Sequence, residues 1–432
     1  MRGRAPGPGT TVAVIGAGAS GTLAAVHLAR AVDRVLLIEG SRRFGVGVAY
    51  GTTDDVHVLN VPAAGMSAYP DDPWHFARWA RCGPGEYVAR HRYASYLETA
   101  LDEAGPAVER VPAHAVGAVP GRCGVVIELG DGRALGAHAA VLALGNFPPV
   151  PPAGLPPGLT ASPCYVPDPW RPGALEGYPR DAPVVLIGSG LTAVDVALAL
   201  VERGHRGPID AVSRHGLLPR AHRPGWRERP VDPFPLPSGP LTLGRLLRRF
   251  REQLDATGDW REVVDSMRPV TSRVWGCLSV ADQRRFLHHL ARPWEVHRHR
   301  MAPSVAARVH MLVSTGRLTV SAGGVSSDVL RRAGRVVNCT GSSCDVTRRR
   351  DRLVTGLLRT GVARPGPHRL GFDVAADGAL VDAQGRPSHR LFTLGPLCRG
   401  RRWETTAVPE IRVQAAALAE RLSDAAPRTE LV

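Results

Sequence analysis

The stretch "TVAVIGAGASGTLAAVHLARAVDRVLLIEGS", residues Thr11–Ser41, alternates apolar runs with a glycine-rich turn in the order strand, turn, helix, strand. Thr11–Ile15 is apolar and rich in β-branched residues, which is typical of a buried parallel strand. The turn leads into a helix that runs to about Ala31, and a second apolar strand, Val35–Ile38, ends at Glu39. The stretch therefore predicts an α/β fold built on a doubly wound, Rossmann-type sheet.

Three glycines in this turn have the spacing G-x-G-x-x-G of dinucleotide-binding folds. Gly16 permits the tight turn, Gly18 lets the backbone approach a pyrophosphate, and Gly21 allows the helix to pack closely on the strand. Glu39, 23 residues after Gly16, would accept hydrogen bonds from a ribose diol and would repel a 2′-phosphate. The unit therefore predicts FAD or NAD, and not NADP. Its candidate binding residues are Gly16, Ala17, Gly18, Ala19, Ser20, Gly21, Glu39 and Gly40.

A second unit of the same kind begins with "VVLIGSGLTAVDVALAL", residues Val184–Leu200. A strand is predicted over Val184–Ile187, a helix to about Glu202, and a second strand in "PIDAVSRHG" from Pro208. Ala193 takes the third glycine position, where alanine is permitted. The candidate binding residues of this unit are Gly188, Ser189, Gly190, Leu191 and Thr192.

The second unit differs from the first where its second strand ends. Ser213, Arg214 and His215 stand where the first unit has Glu39. A guanidinium forks onto phosphate oxygens, so this strand end suits the 2′-phosphate of NADPH. The alternative is a solvated arginine at a strand end of an arginine-rich chain. Opposite charges at the two strand ends favour a flavin in the first unit and NADPH in the second.

The composition is that of a globular protein with room for two domains. The chain has 432 residues, 44% hydrophobic and 22% charged, with no apolar run of transmembrane length and no apolar segment before Thr11 that would make a signal peptide. A cytoplasmic protein without a membrane partner is therefore expected. The formal charge of +15 comes from arginine alone, since the sequence has no lysine. These arginines are scattered without interleaved aromatics, so no nucleic-acid partner is expected.

Seven cysteines include one close pair, Cys339 and Cys344 in "NCTGSSC". No C-x-x-C motif is present, and neither a disulfide scaffold nor a structural zinc site fits the spacing. A redox dithiol is one interpretation of the pair, and ordinary buried thiols are the other. We expect no metal site.

Beyond these motifs, the chain resembles the flavoproteins with two dinucleotide-binding domains, which include the flavin monooxygenases and N-hydroxylases. It is most similar to the bacterial FAD/NAD(P)-binding proteins that contain nitrosuccinate-forming aspartate N-monooxygenases. The likeness is most specific in residues 45–79 ("GVGVAYGTTDDVHVLNVPAAGMSAYPDDPWHFARW") and 391–416, and it includes "AAVLALGNFPP" at 139 and "WEVHRHRMAP" at 294. It is weakest over residues 225–290.

The resemblance implies an FAD domain interrupted by an NADPH domain. The FAD domain would comprise residues 1–150 and 335–432, and the NADPH domain residues 151–334. "AAVLALGNFPP" would be the outgoing crossing between them, and "RVVNCTGSS" at 335 the return crossing. Helical periodicity between about 225 and 300 predicts a helical insertion over the substrate side, with Trp226, Trp275 and Trp294 as core or pocket walls.

The resemblance also implies further site residues. Asn60 and Met66 would lie beside the flavin ring, although a buried loop in which they only cap and pack is the alternative. A helix from about Pro409 would direct its N-terminus at the ring. The other cofactor-binding positions implied are Tyr50, Val61, Gly145, Gly341, Gly395, Pro396 and Glu404.

Two residues are candidates for catalysis, Asn60 and Arg300. Arg300 closes the run "HRHR" from His297, in which a cation near a flavin could stabilise developing negative charge. A solvated basic patch is the alternative. The function expected is an FAD-dependent, NADPH-consuming monooxygenase that hydroxylates a small amine or amino acid. A flavin oxidase or dehydrogenase with a vestigial nicotinamide domain, and a cofactor-binding module without activity, remain alternatives.

Overall fold

The computed structural model describes residues 9–41, 43–225, 231–324 and 326–424. Its strands, in chain order, are β1 (Thr11–Ile15), β2 (Arg34–Ile38), β3 (Val108–Val111), β4 (Ala115–Pro120), β5 (Val125–Leu129), β6 (Ala134–Ala137), β7 (Ala139–Leu142), β8 (Tyr165–Val166), β9 (Val184–Ile187), β10 (Ile209–Ser213), β11 (Leu318–Ala322), β12 (Arg335–Asn338), β13 (Ala379–Val381) and β14 (Pro387–Thr393). Its α-helices are α1 (Ala19–Leu28), α2 (Gly47–Tyr50), α3 (His75–Ala80), α4 (Arg90–Glu103), α5 (Leu191–Glu202), α6 (Leu243–Thr257), α7 (Trp260–Met267), α8 (Thr271–Cys277), α9 (Val280–His289), α10 (Ala291–Arg298), α11 (Pro303–Ser314), α12 (Ser327–Arg332), α13 (Arg352–Arg359) and α14 (Val408–Asp424).

The first unit is a six-stranded sheet with the strand order β13-β14-β7-β1-β2-β3. Its strands are parallel except β13, which is antiparallel to β14. The C-terminal strand β14 pairs with β7, Leu391 opposite Ala140 and Thr393 opposite Leu142. Residues from the end of the chain therefore complete a sheet that begins at its start. The antiparallel ribbon β4-β5-β6 is inserted between β3 and β7.

The second unit is a parallel five-stranded sheet with the strand order β11-β10-β9-β12-β8. Here one predicted boundary is wrong. The sequence analysis assigned residues from Arg335 onward to the first domain, but β12 lies between β9 and β8 in the second sheet. Val336 and Val337 are fully buried there, as an apolar central strand requires. The return crossing begins only after Asn338.

The two chain crossings between the units are hydrogen-bonded to each other. Phe147 and Ser343 exchange backbone bonds, with N–H to O distances of 2.8 and 3.0 Å between the heavy atoms. The Asn338 side-chain amide also donates to the Val150 carbonyl at 3.2 Å. The outgoing and return segments therefore form a short two-stranded connection rather than two independent linkers.

Five helices, α6 to α10, lie between β10 and α11 and form the insertion. The Trp275 ring stacks on Trp403 at 5.0 Å, and its indole N–H donates to the Gly400 carbonyl at 3.0 Å. The insertion therefore packs on the segment that follows β14. Trp226 lies outside the described residues. In the described part of the chain, no helix combines the length and apolar character needed to cross a bilayer.

Candidate functional site

A cleft of about 1060 Å³ runs between the two units. The first glycine loop borders it on one side, and Thr192, in the first turn of α5, borders it on the other. Trp170 and Arg203 line the same cleft from the second unit. One continuous space therefore adjoins both predicted nucleotide-binding units.

About half of the candidate residues line this cleft. They are Gly16, Gly18, Ala19, Ser20, Glu39, Gly40, Tyr50, Asn60, Val61, Met66, Gly145, Thr192 and Pro396. Within the described residues, the candidates that do not line it are Ala17, Gly21, Gly188, Ser189, Gly190, Leu191, Ser213, Arg214, His215, Arg300, Gly341, Gly395 and Glu404. Several residues that are not among the candidates also line the cleft, including His57, Arg90, Trp170, Arg203 and His299, the last from the basic run that starts at His297.

The first glycine loop packs so closely on neighbouring backbone that side chains would not fit at two of its glycines. A Cβ on Gly16 would lie 2.5 Å from the Ala143 carbonyl oxygen, and one on Gly21 would lie 1.8 Å from the Gly16 carbonyl oxygen. Gly16 also has a φ of +99°, which favours glycine. The Glu39 carboxylate accepts the Ala17 backbone N–H at 3.0 Å, which fixes it at the strand end. Backbone donors, small residues and a fixed acid fit the pyrophosphate and ribose of FAD.

A second part of the cleft lies at the start of α14, and we call it the ring end because the resemblance places the flavin ring beside Asn60 and Met66. Asn60, Val61 and Met66 line it together with His299 and residues 406–408, at the start of α14. The N-terminus of this 17-residue helix carries partial positive charge that would favour electron density on a ring carbonyl. Burial lowers the pKa of His299, so the imidazole is neutral near pH 7. The loop, the insertion and the C-terminal helix thus meet at one place.

Tyr50 lies beside this end, against a cluster of aromatic rings. Its ring centroid is 4.7 Å from that of Tyr93. Burial raises the pKa of Tyr50 to about 12, so its hydroxyl stays protonated and can donate a hydrogen bond. This position supports a role in packing or hydrogen bonding and not one as a base.

Glu404 belongs to a buried charge cluster behind the ring end, which consists of Arg268, Arg298, Glu404 and Glu410. Its carboxylate accepts the Trp294 indole N–H at 2.8 Å and lies 3.5 Å from Arg298. Burial alone would raise the pKa of Glu404, but Arg298, His299 and the indole N–H together hold it below its ordinary value. The residue is therefore an anion that ties the insertion to the segment before α14.

The predicted catalytic role of Arg300 does not agree with its position, because its side chain does not reach the cleft. Only 3% of the residue is exposed, and both terminal nitrogens donate to the Asp265 carboxylate, at 2.9 and 3.0 Å. Its Nε donates to the His297 carbonyl at 2.7 Å, and the guanidinium lies 5.0 Å from the Trp260 ring centre. These contacts tie α7 to the end of α10. The neighbouring His299, not Arg300, faces the cleft.

The two glycine loops have the same register against their second strands. Gly16 donates its N–H to the Ile38 carbonyl, and Gly188 donates its N–H to the Val212 carbonyl, both at 2.8 Å. Ser213 therefore occupies the position of Glu39. Gly188 has a φ of +120°, and a Cβ there would lie 2.3 Å from the Cys339 carbonyl oxygen. The second loop is as tight as the first, but it presents a hydroxyl where the first presents an acid.

The remaining candidate glycines lie at turns next to the cleft. Gly395 packs on the first glycine loop, where a Cβ would lie 2.7 Å from Ser20 Oγ. Gly341 has a φ of +90° and precedes Ser342, which lines the cleft. Gly341 itself has open space around it. It supports the course of the return crossing rather than a direct cofactor contact.

The cysteine pair is not arranged as a dithiol. Cys339 is buried in the core of the second unit, and Cys344 in a core of the first. Burial raises the pKa of both thiols, which disfavours reactive thiolates. All seven cysteines lie in the described residues, and none lines the cleft. These positions favour ordinary buried thiols over a redox pair.

His222 is expected to make the protein labile to acid. Its Nε2 lies 3.0 Å from the Asn60 carbonyl oxygen and joins the second unit to the ring end. Burial lowers the pKa of His222 to about 4, while the unfolded value is near 6.5. The unfolded state therefore binds the proton first, and the free energy of unfolding should fall by up to about 3 kcal/mol as the pH drops from 6.5 to 4.

A His222→Gln variant tests this expectation, because the amide keeps a donor for the Asn60 carbonyl and does not titrate. Denaturant unfolding between pH 7 and 4.5 should show a shallower loss of stability than in wild type. His310→Gln, at an exposed position of α11, serves as the control and should follow wild type. Equal pH slopes for His222→Gln and wild type would contradict the assignment.

Comparisons with known proteins agree with this architecture. Residues 13–147 match a family model described as FAD-NAD(P)-binding. The ornithine N-hydroxylase of Kutzneria sp. 744, solved with reduced FAD, NADP⁺ and L-ornithine, superposes with a TM-score of 0.62 at 14% identity, over 96% of this chain and 99% of that one. The FAD-bound cadaverine monooxygenase of Erwinia amylovora gives a TM-score of 0.61 at 11% identity, over 96% and 94%.

The same fold also serves other chemistry. The bacillithiol disulfide reductase of Staphylococcus aureus gives a TM-score of 0.58 at 12% identity, over 97% of this chain and 99% of that one. No curated protein sequence matches the chain. At these identities the structural likeness establishes the fold alone. Residues 13–147 thus match an FAD-NAD(P)-binding family model, and the chain as a whole shares the fold of these solved proteins.

Proposed function

We propose that this protein is a cytoplasmic FAD-dependent, NADPH-consuming monooxygenase that N-hydroxylates a small amine or amino acid in biosynthetic metabolism. The observation that carries the proposal is the cleft bordered on one side by the first glycine loop and on the other by Thr192, in the first turn of α5 behind the second glycine loop. NADPH would supply reducing equivalents, and the flavin would pass them on and activate oxygen. Two solved proteins of this fold, an ornithine N-hydroxylase and a cadaverine monooxygenase, support an amine as the substrate class.

Residues at one end of the cleft would bind the FAD phosphates and ribose, and residues at the other end would contact the flavin ring. The first glycine loop and Glu39 would hold the pyrophosphate and ribose of FAD. Asn60 and Met66 would flank the ring, and the start of α14 would stabilise negative charge on it. His299, neutral near pH 7, is placed to accept or donate a proton at this end. The insertion covers the ring end through Trp294 and Glu404, which would limit access of water.

The disulfide reductase chemistry that shares this fold is less well supported. A dithiol must approach the flavin to exchange electrons with it, yet the seven described cysteines all lie away from the cleft. Cys398, near β14, is buried, and burial raises the pKa of its thiol to about 12. The arrangement therefore does not support a reaction through a protein dithiol at this cleft.

Spectroscopy of the purified protein tests the proposal. The protein should carry a yellow flavin chromophore that NADPH bleaches without oxygen and that air restores. In air, NADPH oxidation should accelerate with one class in a panel of amines and amino acids, and a hydroxylamine product should form. A flavin left oxidised by NADPH would favour an oxidase with a vestigial nicotinamide domain. Bound cofactors without turnover on any amine would favour a binding module.

A further inference from the structure

Arg292, on the insertion helix α10, reaches the glycine loop of the second unit. Its Nη2 donates to the Ser189 carbonyl oxygen at 3.2 Å and to Ser189 Oγ at 3.3 Å. The same nitrogen donates to the Leu217 carbonyl oxygen, in the loop that follows β10. One guanidinium therefore bridges the two loops between which the adenosine ribose of a dinucleotide lies in this fold.

The bridge lies beside the strand end that distinguishes the two units. Ser213 Oγ is 2.7 Å from Ser189 Oγ, at the position that Glu39 holds in the first unit. Arg214 follows it. In the described part of the chain, neither Arg214 nor Arg292 has a carboxylate within ion-pair distance. The two guanidinium groups thus lie near the two serine hydroxyls, and among the described residues no carboxylate pairs with either guanidinium.

Burial and two neighbouring charges set the electrostatic environment of Arg292. Burial lowers the pKa of Arg292, Glu295 opposes that effect, and Arg214 lowers the pKa further. Glu295 is itself paired with Arg399 at 2.8 Å. An anionic ligand bound between Arg214 and Arg292 would therefore reduce the repulsion between their guanidinium groups.

The part of Arg292 that faces the ligand is available. Only Nη2 of Arg292 contacts the two loops. Its Nη1 lies near Gly190, 3.7 Å from the position that a Cβ on that glycine would take. That is the face of the glycine loop along which a dinucleotide approaches. A planar fork held by one nitrogen leaves further N–H groups for phosphate oxygens.

We propose that Arg292 is a specificity-determining residue that binds the 2′-phosphate of NADPH together with Ser213 and Arg214. The inference rests on the proposed function for the identity of the nucleotide. It assigns a role to a residue of the helical insertion, outside the second glycine-loop unit itself. The competing explanation is that Arg292 only braces the glycine loop.

Binding of nucleotide fragments tests the role without any need for turnover. Calorimetry would compare 2′,5′-ADP with 5′-AMP, which lacks the 2′-phosphate. Wild type should bind 2′,5′-ADP more tightly than 5′-AMP. Arg292→Ala should lower the affinity for 2′,5′-ADP about 10- to 100-fold and should change the affinity for 5′-AMP less than about 3-fold. Arg292→Lys, which keeps the charge but not the fork, should fall between them. Arg284→Ala, at an exposed position of α9, should match wild type.

Several outcomes would overturn the inference. Equal losses for 2′,5′-ADP and 5′-AMP in Arg292→Ala, together with a lower melting temperature, would mean that the residue only braces the loop. A wild type without preference for 2′,5′-ADP would remove the 2′-phosphate site altogether. Failure of the proposed function is seen separately, as a wild type that prefers 2′,5′-ADP but whose flavin NADPH does not reduce.

Discussion

A Gly188→Ala variant is expected to keep its flavin but to lose nearly all reduction of that flavin by NADPH. The backbone at Gly188 has a φ of +120°, and the added methyl would lie 2.3 Å from the Cys339 carbonyl oxygen. A disfavoured backbone costs roughly 1–2 kcal/mol and overpacking typically about 1–3 kcal/mol. If the loop shifts to relieve this strain, the phosphate cradle is lost and reduction should slow by about 100-fold or more. Anaerobic stopped-flow mixing with NADPH measures the rate.

Two matched variants separate binding from folding. Gly190 has a negative φ, and the nearest atom to a Cβ there belongs to the Arg292 guanidinium, at 3.7 Å. Gly190→Ala should therefore keep the wild-type melting temperature and lower only the affinity for NADPH. Gly244→Ala, on α6 with open space around it, should change neither property. Reduction of Gly188→Ala at the wild-type rate would mean that NADPH does not bind at this loop.

Local rules predicted the two glycine-loop units because each is a contiguous segment with its own periodicity. Strands β1, β9 and β10 and helix α5 begin or end within a residue or two of their expected positions. The charge difference between Glu39 and Arg214 was also visible, since each follows an apolar strand directly. Both units could therefore be identified without knowledge of tertiary contacts.

The ring end of the cleft could not be predicted in the same way, because it is assembled from distant segments. His299 and Arg300 are neighbours in a basic run, and no local pattern tells which faces the cleft. Arg300 is held away from the cleft by its ion pair with Asp265, which lies on another helix. Arg292 likewise lies just beyond the segment with the weakest resemblance, residues 225–290, and only the packing of α10 brings it to Ser189. Pairings of this kind depend on tertiary structure.

Asp195 is a buried acid whose role depends on tertiary contacts. It interrupts an otherwise apolar helix, α5, and only 5% of the residue is exposed. Its carboxylate lies 2.8 Å from Arg90, at the start of α4 in the first unit. Its backbone carbonyl contacts His57 Nε2 at 3.1 Å, and Arg203 at the end of the same helix pairs with Asp54. The charge therefore holds the second unit against the first.

An Asp195→Ala variant should accordingly be among the most destabilised in the chain. Removal of the carboxylate leaves the Arg90 guanidinium, 15% exposed, without its counter-ion, and breaking a buried pair typically costs about 3–5 kcal/mol. For a cooperatively unfolding chain of 432 residues, this loss should lower the melting temperature by about 3–6 °C. Flavin reduction by NADPH should also slow, because α5 carries Thr192 at the shared cleft. Thermal unfolding and stopped-flow reduction measure the two effects.

A double-variant cycle determines whether the pair itself is responsible. Arg90→Met with Asp195→Leu removes both charges and should recover most of the lost stability, since apolar replacement of a buried pair is often neutral. The exposed pair Arg206–Asp181 supplies the control, and Asp181→Ala should keep a melting temperature close to that of wild type. If Asp195→Ala were as mild as Asp181→Ala, the contact across the units would be incidental. Their alignment would then depend on the paired crossings at Phe147 and Ser343.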